Sequence, residues 1–216
     1  MQHFKGIYLI SKPHGVNYKS LEYMLASGFV KKFQLRLKDI SQKDFANEAI
    51  KCKELCQRYG IVFIVNDHFE IFVKSSADGL HIGSDDGASN CTNIAKILEV
   101  MPTNTTLGIS CYDNIEMAIE ASKIGVDYVS FGAFFETKTK VTKAKPNPQI
   151  ILDYHNYFVD NLHLNKADVC VIGGINNSNI HILRDKGIDY ACIISYLWDA
   201  ENDSQELLLR MNSLVK

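Results

Sequence analysis

The sequence predicts an α/β protein of the (β/α)8 class, a TIM barrel forming a single domain over residues 1–216. Two observations predict it. Short runs rich in Val, Ile, Phe and Tyr recur along the chain with segments of helical period between most of them, an alternation that demands a mostly parallel sheet. Eight such runs can be counted, and polar residues gather just past their carboxyl ends, where barrels of this kind carry their chemistry. An open doubly wound sheet is the alternative, but neither G-x-G-x-x-G after the first run nor G-x-x-x-x-G-K-[ST] anywhere is present.

In chain order, the first strand is expected at 6–10 (GIYLI), followed by a helix over 17–27. The second strand, 32–38 (KFQLRLK), places Phe33, Leu35 and Leu37 on one face and Gln34, Arg36 and Lys38 on the other. A helix over 41–59 follows, with Ala46, Ile50, Leu55 and Tyr59 as its apolar stripe. The third strand is 61–67, then a short segment at 68–76, then the fourth strand at 79–83 and a helix at 92–100. Strand five (106–110) leads to a helix at 114–124 on which Ile115, Ala118 and Ile119 share a face. Strand six (127–134), helix 149–159, strand seven (168–174), helix 177–186, strand eight (190–195) and helix 203–214 complete the pattern. The region 141–167 is longer than the spacing elsewhere leads one to expect, and no internal repeat of recognisable motif stands out.

Composition narrows the partners. At 216 residues and 46% hydrophobic the chain can bury a substantial core. Lys+Arg 23 against Asp+Glu 25 gives a formal charge of −2, with no net pull toward nucleic acid or anionic lipid, so any anion binding must be local. The start of the chain carries only a five-residue apolar run, too short for a signal peptide or a membrane span, and a cytoplasmic location is expected. Of the six cysteines, Cys170 and Cys192 sit in buried-strand runs and Cys52 and Cys56 share a helix face, so reduced packing thiols are expected rather than disulfides or a zinc site. Homo-oligomerisation is left open.

Both faces of a barrel strand are covered, so Gln34, Arg36 and Lys38 on one face should point inward, toward an anion or toward a carboxylate partner such as Asp67 or Asp86. Asn66 and Asp67 end strand three, and Asp85 and Asp86 follow strand four. Carboxylates on neighbouring strand ends suit Mg2+, while an Asn-Asp pair alone also reads as a turn or cap. His81 reads equally as a satisfied core histidine or as part of the site. Thr137, Thr139 and Lys140 open the polar loop after strand six and suit phosphate, with a solvated charge run as the alternative. The loops after strands seven and eight, around Gly173, Gly174 and Ser195, offer backbone N–H groups at the start of a short helix.

Taken in order, "QLRLKD", "VNDH", "DGLHIGSDD", "LGIS", "GVDYVSFGAFFETKTK", "VIGGI" and "IIS" resemble the thiamine phosphate synthase family across nearly the whole chain. The resemblance implies an enzyme that joins hydroxymethylpyrimidine diphosphate to a thiazole phosphate, giving thiamine phosphate and diphosphate. It implies that Gln34, Arg36, Lys38 and Asn66 contact the diphosphate side of the pyrimidine substrate and that Asp67 and Asp86 bind magnesium. Ser110 would lie near the pyrimidine and the leaving group. Thr137 and Thr139, with the backbone around Gly174, Ile194 and Ser195, would hold the thiazole phosphate, and Lys140 would reach the diphosphate. Arg36, Lys38, Lys140 and Ser110 are thereby the catalytic candidates.

Four departures stand out: Ser84 where the family usually has Gln, Ala133 and Glu136 for customary prolines, and no Asp in "YLISKP" after strand one. Three rival readings remain. A thiazole tautomerase on the same barrel would need a histidine where Tyr112 stands, a Schiff-base aldolase would use Lys38 or Lys140, and a binding protein would hold both precursors without reaction.

Overall fold

The computed structural model describes residues 4–83, 91–137 and 145–216. Eight parallel strands close a barrel in sequence order, β1 back to β8. The elements are β1 (Gly6–Ile10), α1 (Tyr18–Ala26), β2 (Val30–Leu35), α2 (Gln42–Arg58), β3 (Val62–Asn66), α3 (Phe69–Lys74), β4 (Gly79–Ile82) and α4 (Cys91–Val100). They continue as β5 (Thr106–Tyr112), α5 (Ile115–Ile124), β6 (Tyr128–Gly132), α6 (Gln149–Val159), β7 (Asp168–Ile172), α7 (Ile180–Arg184), β8 (Tyr190–Ile193), α8 (Ser195–Trp198) and α9 (Ser204–Val215).

Alternation along the strands sorts side chains into two apolar bodies. Ile7, Leu9, Phe33, Leu35, Phe63 and Val65 face outward under the helices, whereas Tyr8, Ile10, Ile64, Tyr128, Cys170, Tyr190 and Cys192 fill the interior. The helices start where a side chain satisfies free amides: Asn17 caps α1, Ser41 caps α2, Asn114 caps α5 and Asp203 caps α9. Gly125, at φ 104°, ends α5 in the left-handed conformation that favours glycine. On α2 the buried face runs through Phe45, Ala49, Cys52 and Cys56; Ile50 and Tyr59, assigned to the stripe from spacing alone, are exposed. Cys52, Cys56, Cys170 and Cys192 are free and buried, and Cys111 is buried.

One feature recurs at the amino-terminal end of the barrel. Asp78, Asp127 and Asp189 each precede an even-numbered strand, and each carboxylate accepts a backbone N–H at the start of the odd strand beside it: Phe63 (2.9 Å), Leu107 (2.7 Å) and Val169 (2.8 Å). The same three residues donate their own N–H to the carbonyls of those partners. "ADGL", "VDYV" and "IDYA" are thus a structural repeat that is too short to recognise by motif alone.

β2 differs from expectation in a way that matters for the site. It begins at Val30 and stops at Leu35, so its alternation does not carry the sheet to Lys38. Beyond Leu35 the chain follows the β1 loop instead, with Arg36 N–H on Ser11 Oγ (2.8 Å) and Lys38 N–H on the Pro13 carbonyl (2.8 Å).

Candidate active site

A cavity of about 320 Å3 opens at the carboxyl end of the barrel. Its floor is polar and buried. The Gln34 amide nitrogen lies 2.8 Å from the Tyr8 hydroxyl, the Tyr8 and Tyr128 hydroxyls are 2.7 Å apart, and Tyr128 is 3.0 Å from His81 Nδ1. His81 Nε2 is in turn 2.9 Å from Ser110 Oγ. Burial, and then the nearby Arg36 cation, push the His81 pKa down to about 3, so the imidazole is neutral. Burial likewise holds both tyrosines protonated, well above the ordinary phenol range. Beneath them the buried Lys32 ammonium lies 4.5 Å from the Tyr128 ring centre and 4.6 Å from that of Tyr190.

The wall above this floor carries charge. Arg36 lines the cavity half-buried. Asp67, at φ 63°, also lines it, with Oδ1 accepting the Gly83 N–H (2.6 Å) and Oδ2 accepting from the Asn66 side-chain amide. Asp tolerates this left-handed geometry better than most residues. Both carboxylate oxygens are therefore aimed by donors yet keep lone pairs, which suits a hard cation that takes one or two carboxylates and completes its shell with water and phosphate oxygens. Among the described residues no cluster of three or more His, Cys, Asp or Glu converges.

The opposite wall is backbone. After β6 and β7 the chains continue side by side, with Phe134 N–H on the Ile172 carbonyl and Phe135 N–H on the Gly173 carbonyl, both 3.1 Å. A Cβ on Gly174 (φ 63°) would lie 2.2 Å from the Glu136 carbonyl oxygen, so this approach requires glycine. Thr137, Gly174, Ile194 and Ser195 line this side, and Ser195 begins the single turn of α8.

Of the residues singled out from sequence, Gln34, Arg36, Asn66, Asp67, Ser110, Thr137, Gly174, Ile194 and Ser195 meet around one cavity. Lys38 does not: because β2 ends early, its side chain is exposed and outside the cavity lining. Ser84, Asp85, Asp86, Thr139 and Lys140 lie outside the described residues. Sequence reasoning missed Tyr8 and Tyr128, which read as ordinary strand apolars. A signal was there: Tyr128 shares its face with Ser130 and Gly132, and Gly108 opposite leaves room for a ring. Glu136, Asp199 and Tyr112 also line the cavity.

Comparison with known proteins follows the same lines. The family model for thiamine monophosphate synthase matches residues 7–197. The chain belongs to the thiamine monophosphate synthase family. Among members of this family, the thiamine-phosphate synthase of Fusobacterium nucleatum is 36% identical over 88% of this chain and 87% of its own. That of Thermoplasma acidophilum is 32% identical over 98% of this chain and 94% of its own. The solved thiamine phosphate pyrophosphorylase from Pyrococcus furiosus superposes with a TM-score of 0.75 at 24% identity, covering 99% of this chain and 98% of that one, which shows the shared fold.

Proposed function

We propose that this chain is a thiamine-phosphate synthase, a transferase that couples hydroxymethylpyrimidine diphosphate with thiazole phosphate and releases diphosphate. The observation that carries the reading is a single cavity in which one half-buried guanidinium and one oriented carboxylate stand over a neutral, hydrogen-bonded floor. In the reaction the bond between the pyrimidine methylene and the diphosphate oxygen breaks first, its electron pair leaving with diphosphate. The thiazole nitrogen then captures the methylene cation. Such a path asks the protein for no strong nucleophile. It asks for positive charge where negative charge accumulates, and one well-placed donor is typically worth about 3–4 kcal/mol of barrier.

Arg36, which lines the cavity, is assigned that task, with Lys38 on the exposed segment just beyond it and Lys140 as further cations in the same proposal. Gln34 and Asn66 are assigned to the pyrimidine diphosphate, and Ser110 to the pyrimidine. Thr137, Thr139 and the backbone at Gly174, Ile194 and Ser195 are assigned to the thiazole phosphate. Asp67 with Asp86 would hold magnesium, which when bound supplies charge neutralisation for the diphosphate oxygens. Tyr112 at the cavity wall is a phenol where a tautomerase would need an imidazole, and an exposed Lys38 is poorly placed as an aldolase Schiff base.

The buried thiols of Cys52, Cys56, Cys170 and Cys192 fit a reducing compartment, and cytoplasmic residence is part of the proposal. No helix among the described residues is long and apolar enough to cross a membrane. The deciding experiment incubates purified protein with both phosphorylated precursors, with and without a magnesium chelator. Equimolar thiamine phosphate and diphosphate are expected only with free magnesium. Binding of both precursors without diphosphate release would overturn the enzyme, and chelator-resistant turnover would overturn the roles of Asp67 and Asp86.

A further inference from the structure

We propose that Gln34, Tyr8, Tyr128 and His81 form a one-way chain of hydrogen bonds that holds His81 as its Nε2–H tautomer and turns the Ser110 hydroxyl hydrogen into the cavity as a donor. The direction is set at the far end. An amide nitrogen only donates, so Gln34 Nε2 gives a hydrogen to the Tyr8 oxygen at 2.8 Å. The Tyr8 hydroxyl has one hydrogen of its own, and among the described residues the Tyr128 oxygen at 2.7 Å is the remaining partner for it. Tyr128 then has its single hydrogen left for His81 Nδ1 at 3.0 Å. A ring nitrogen that accepts carries no hydrogen, so the neutral imidazole bears its hydrogen on Nε2 and donates to Ser110 Oγ at 2.9 Å. Ser110 accepts from below and keeps its own hydrogen for whatever occupies the cavity it lines.

One further observation favours this direction, and a second bears on its persistence. The Lys32 ammonium on the face of the Tyr128 ring draws electron density from it, which makes the phenol a better donor toward His81. Burial also shields the chain: Tyr8, Gln34 and Tyr128 are at most 2% exposed and His81 is 7% exposed, so bulk water does not interrupt it. In such surroundings each bond polarises the next.

The consequence is selectivity for a ligand atom with a free lone pair at Ser110. Where the proposed function holds, that atom belongs to the pyrimidine substrate, whose ring nitrogens are acceptors; this identification alone rests on that reading. Tyr8, Tyr128 and His81 are positioning residues, acting through Ser110. Their presence in the barrel interior is otherwise unexplained, because an apolar filling would pack without the cost of desolvating three polar groups.

The test is nitrogen NMR on the full chain with 15N-labelled histidine. In the unsubstituted protein the His81 ring should show a hydrogen-bearing Nε2 and a bare Nδ1. Tyr128→Phe and Gln34→Leu should each release this preference and give signals averaged between the tautomers. In steady-state assays Tyr128→Phe should raise KM for the pyrimidine diphosphate about tenfold, the loss of one hydrogen bond, and leave KM for the thiazole phosphate unchanged. A hydrogen on Nδ1 in the unsubstituted protein, or an unaltered tautomer in the variants, overturns the proposal. The unsubstituted protein decides the matter even where a variant fails to fold. Because the tautomer is read without turnover, failure of the synthase reading leaves this result standing on its own.

Discussion

The Tyr128 ring occupies the space that a side chain at position 108 would need: a Cβ added to Gly108 would lie 1.9 Å from Tyr128 Cζ. The two residues face one another across β5 and β6. Glycine here is a matter of room rather than backbone freedom, because it is what lets the phenol reach Tyr8 and His81. Gly108→Ala should therefore destabilise by roughly 1–3 kcal/mol, the range for an overpacked core. Chemical denaturation measures the loss. The same substitution should lower affinity for the pyrimidine substrate, since Tyr128 has to move.

Arg36 and Lys38 are two positions apart in sequence but differently placed, one in the cavity wall and one exposed. Arg36→Met should lower kcat by roughly 10²-fold or more, the typical effect of removing one donor from a developing anion. Lys38→Met should have a smaller effect that shrinks further as ionic strength rises, because an exposed charge acts through screened solvent. Equal losses in both variants at high salt would show that Lys38 reaches the substrate directly.

The Gly174 backbone and the Glu136 carbonyl are too close for any side chain between them. Gly174→Ala adds a methyl group at a left-handed φ of 63° and forces the strands' continuations apart. We expect a stability cost of about 1–3 kcal/mol. The kinetic effect should concentrate in KM for the thiazole phosphate, with the pyrimidine diphosphate much less affected. A reversed pattern would reassign that wall.

His155 provides a pH-dependent contribution away from the site. Its Nε2–H donates to the Gly187 carbonyl (2.8 Å), its Nδ1 is buried without a hydrogen-bond partner among the described residues, and burial followed by the Lys166 charge lowers its pKa. The folded state thus resists the proton that the unfolded chain accepts near pH 6.5. Stability from this group is complete above that pH and declines as pH falls below it. Comparing denaturation of the unsubstituted protein and His155→Gln between pH 7.5 and 5.5 checks the sign: the variant should show the shallower decline.

How legible all this was in the sequence depended on which physical rule set each feature. The eight strands were legible because covered strands must be apolar, and the polar strand ends were legible because parallel barrels direct them to one mouth. The end of β2 was not. "FQLRLK" keeps its alternation past the point where the backbone leaves the sheet to bond Ser11 and Pro13, and local pattern carries no record of that switch. The interior tyrosines were equally hidden, since their roles arise from register across strands distant in sequence. On α2, spacing chose Ile50 over Cys52, because small thiols score weakly as core residues although they pack well.

The Asp carboxylates at the base join β3 to β4, β5 to β6 and β7 to β8, but among the described residues the β1–β2 pair has no such clasp. There the corresponding amide, Ile7 N–H, is left to the main-chain carbonyl of Phe29, and the strand register slips by one residue between Ile7 and Tyr8. The ring therefore has a seam. Amide hydrogens along β1 and β2 should exchange with solvent ahead of those in the three clasped pairs, so that the hoop unzips first beside the very strand that supplies Gln34 and leads to Arg36.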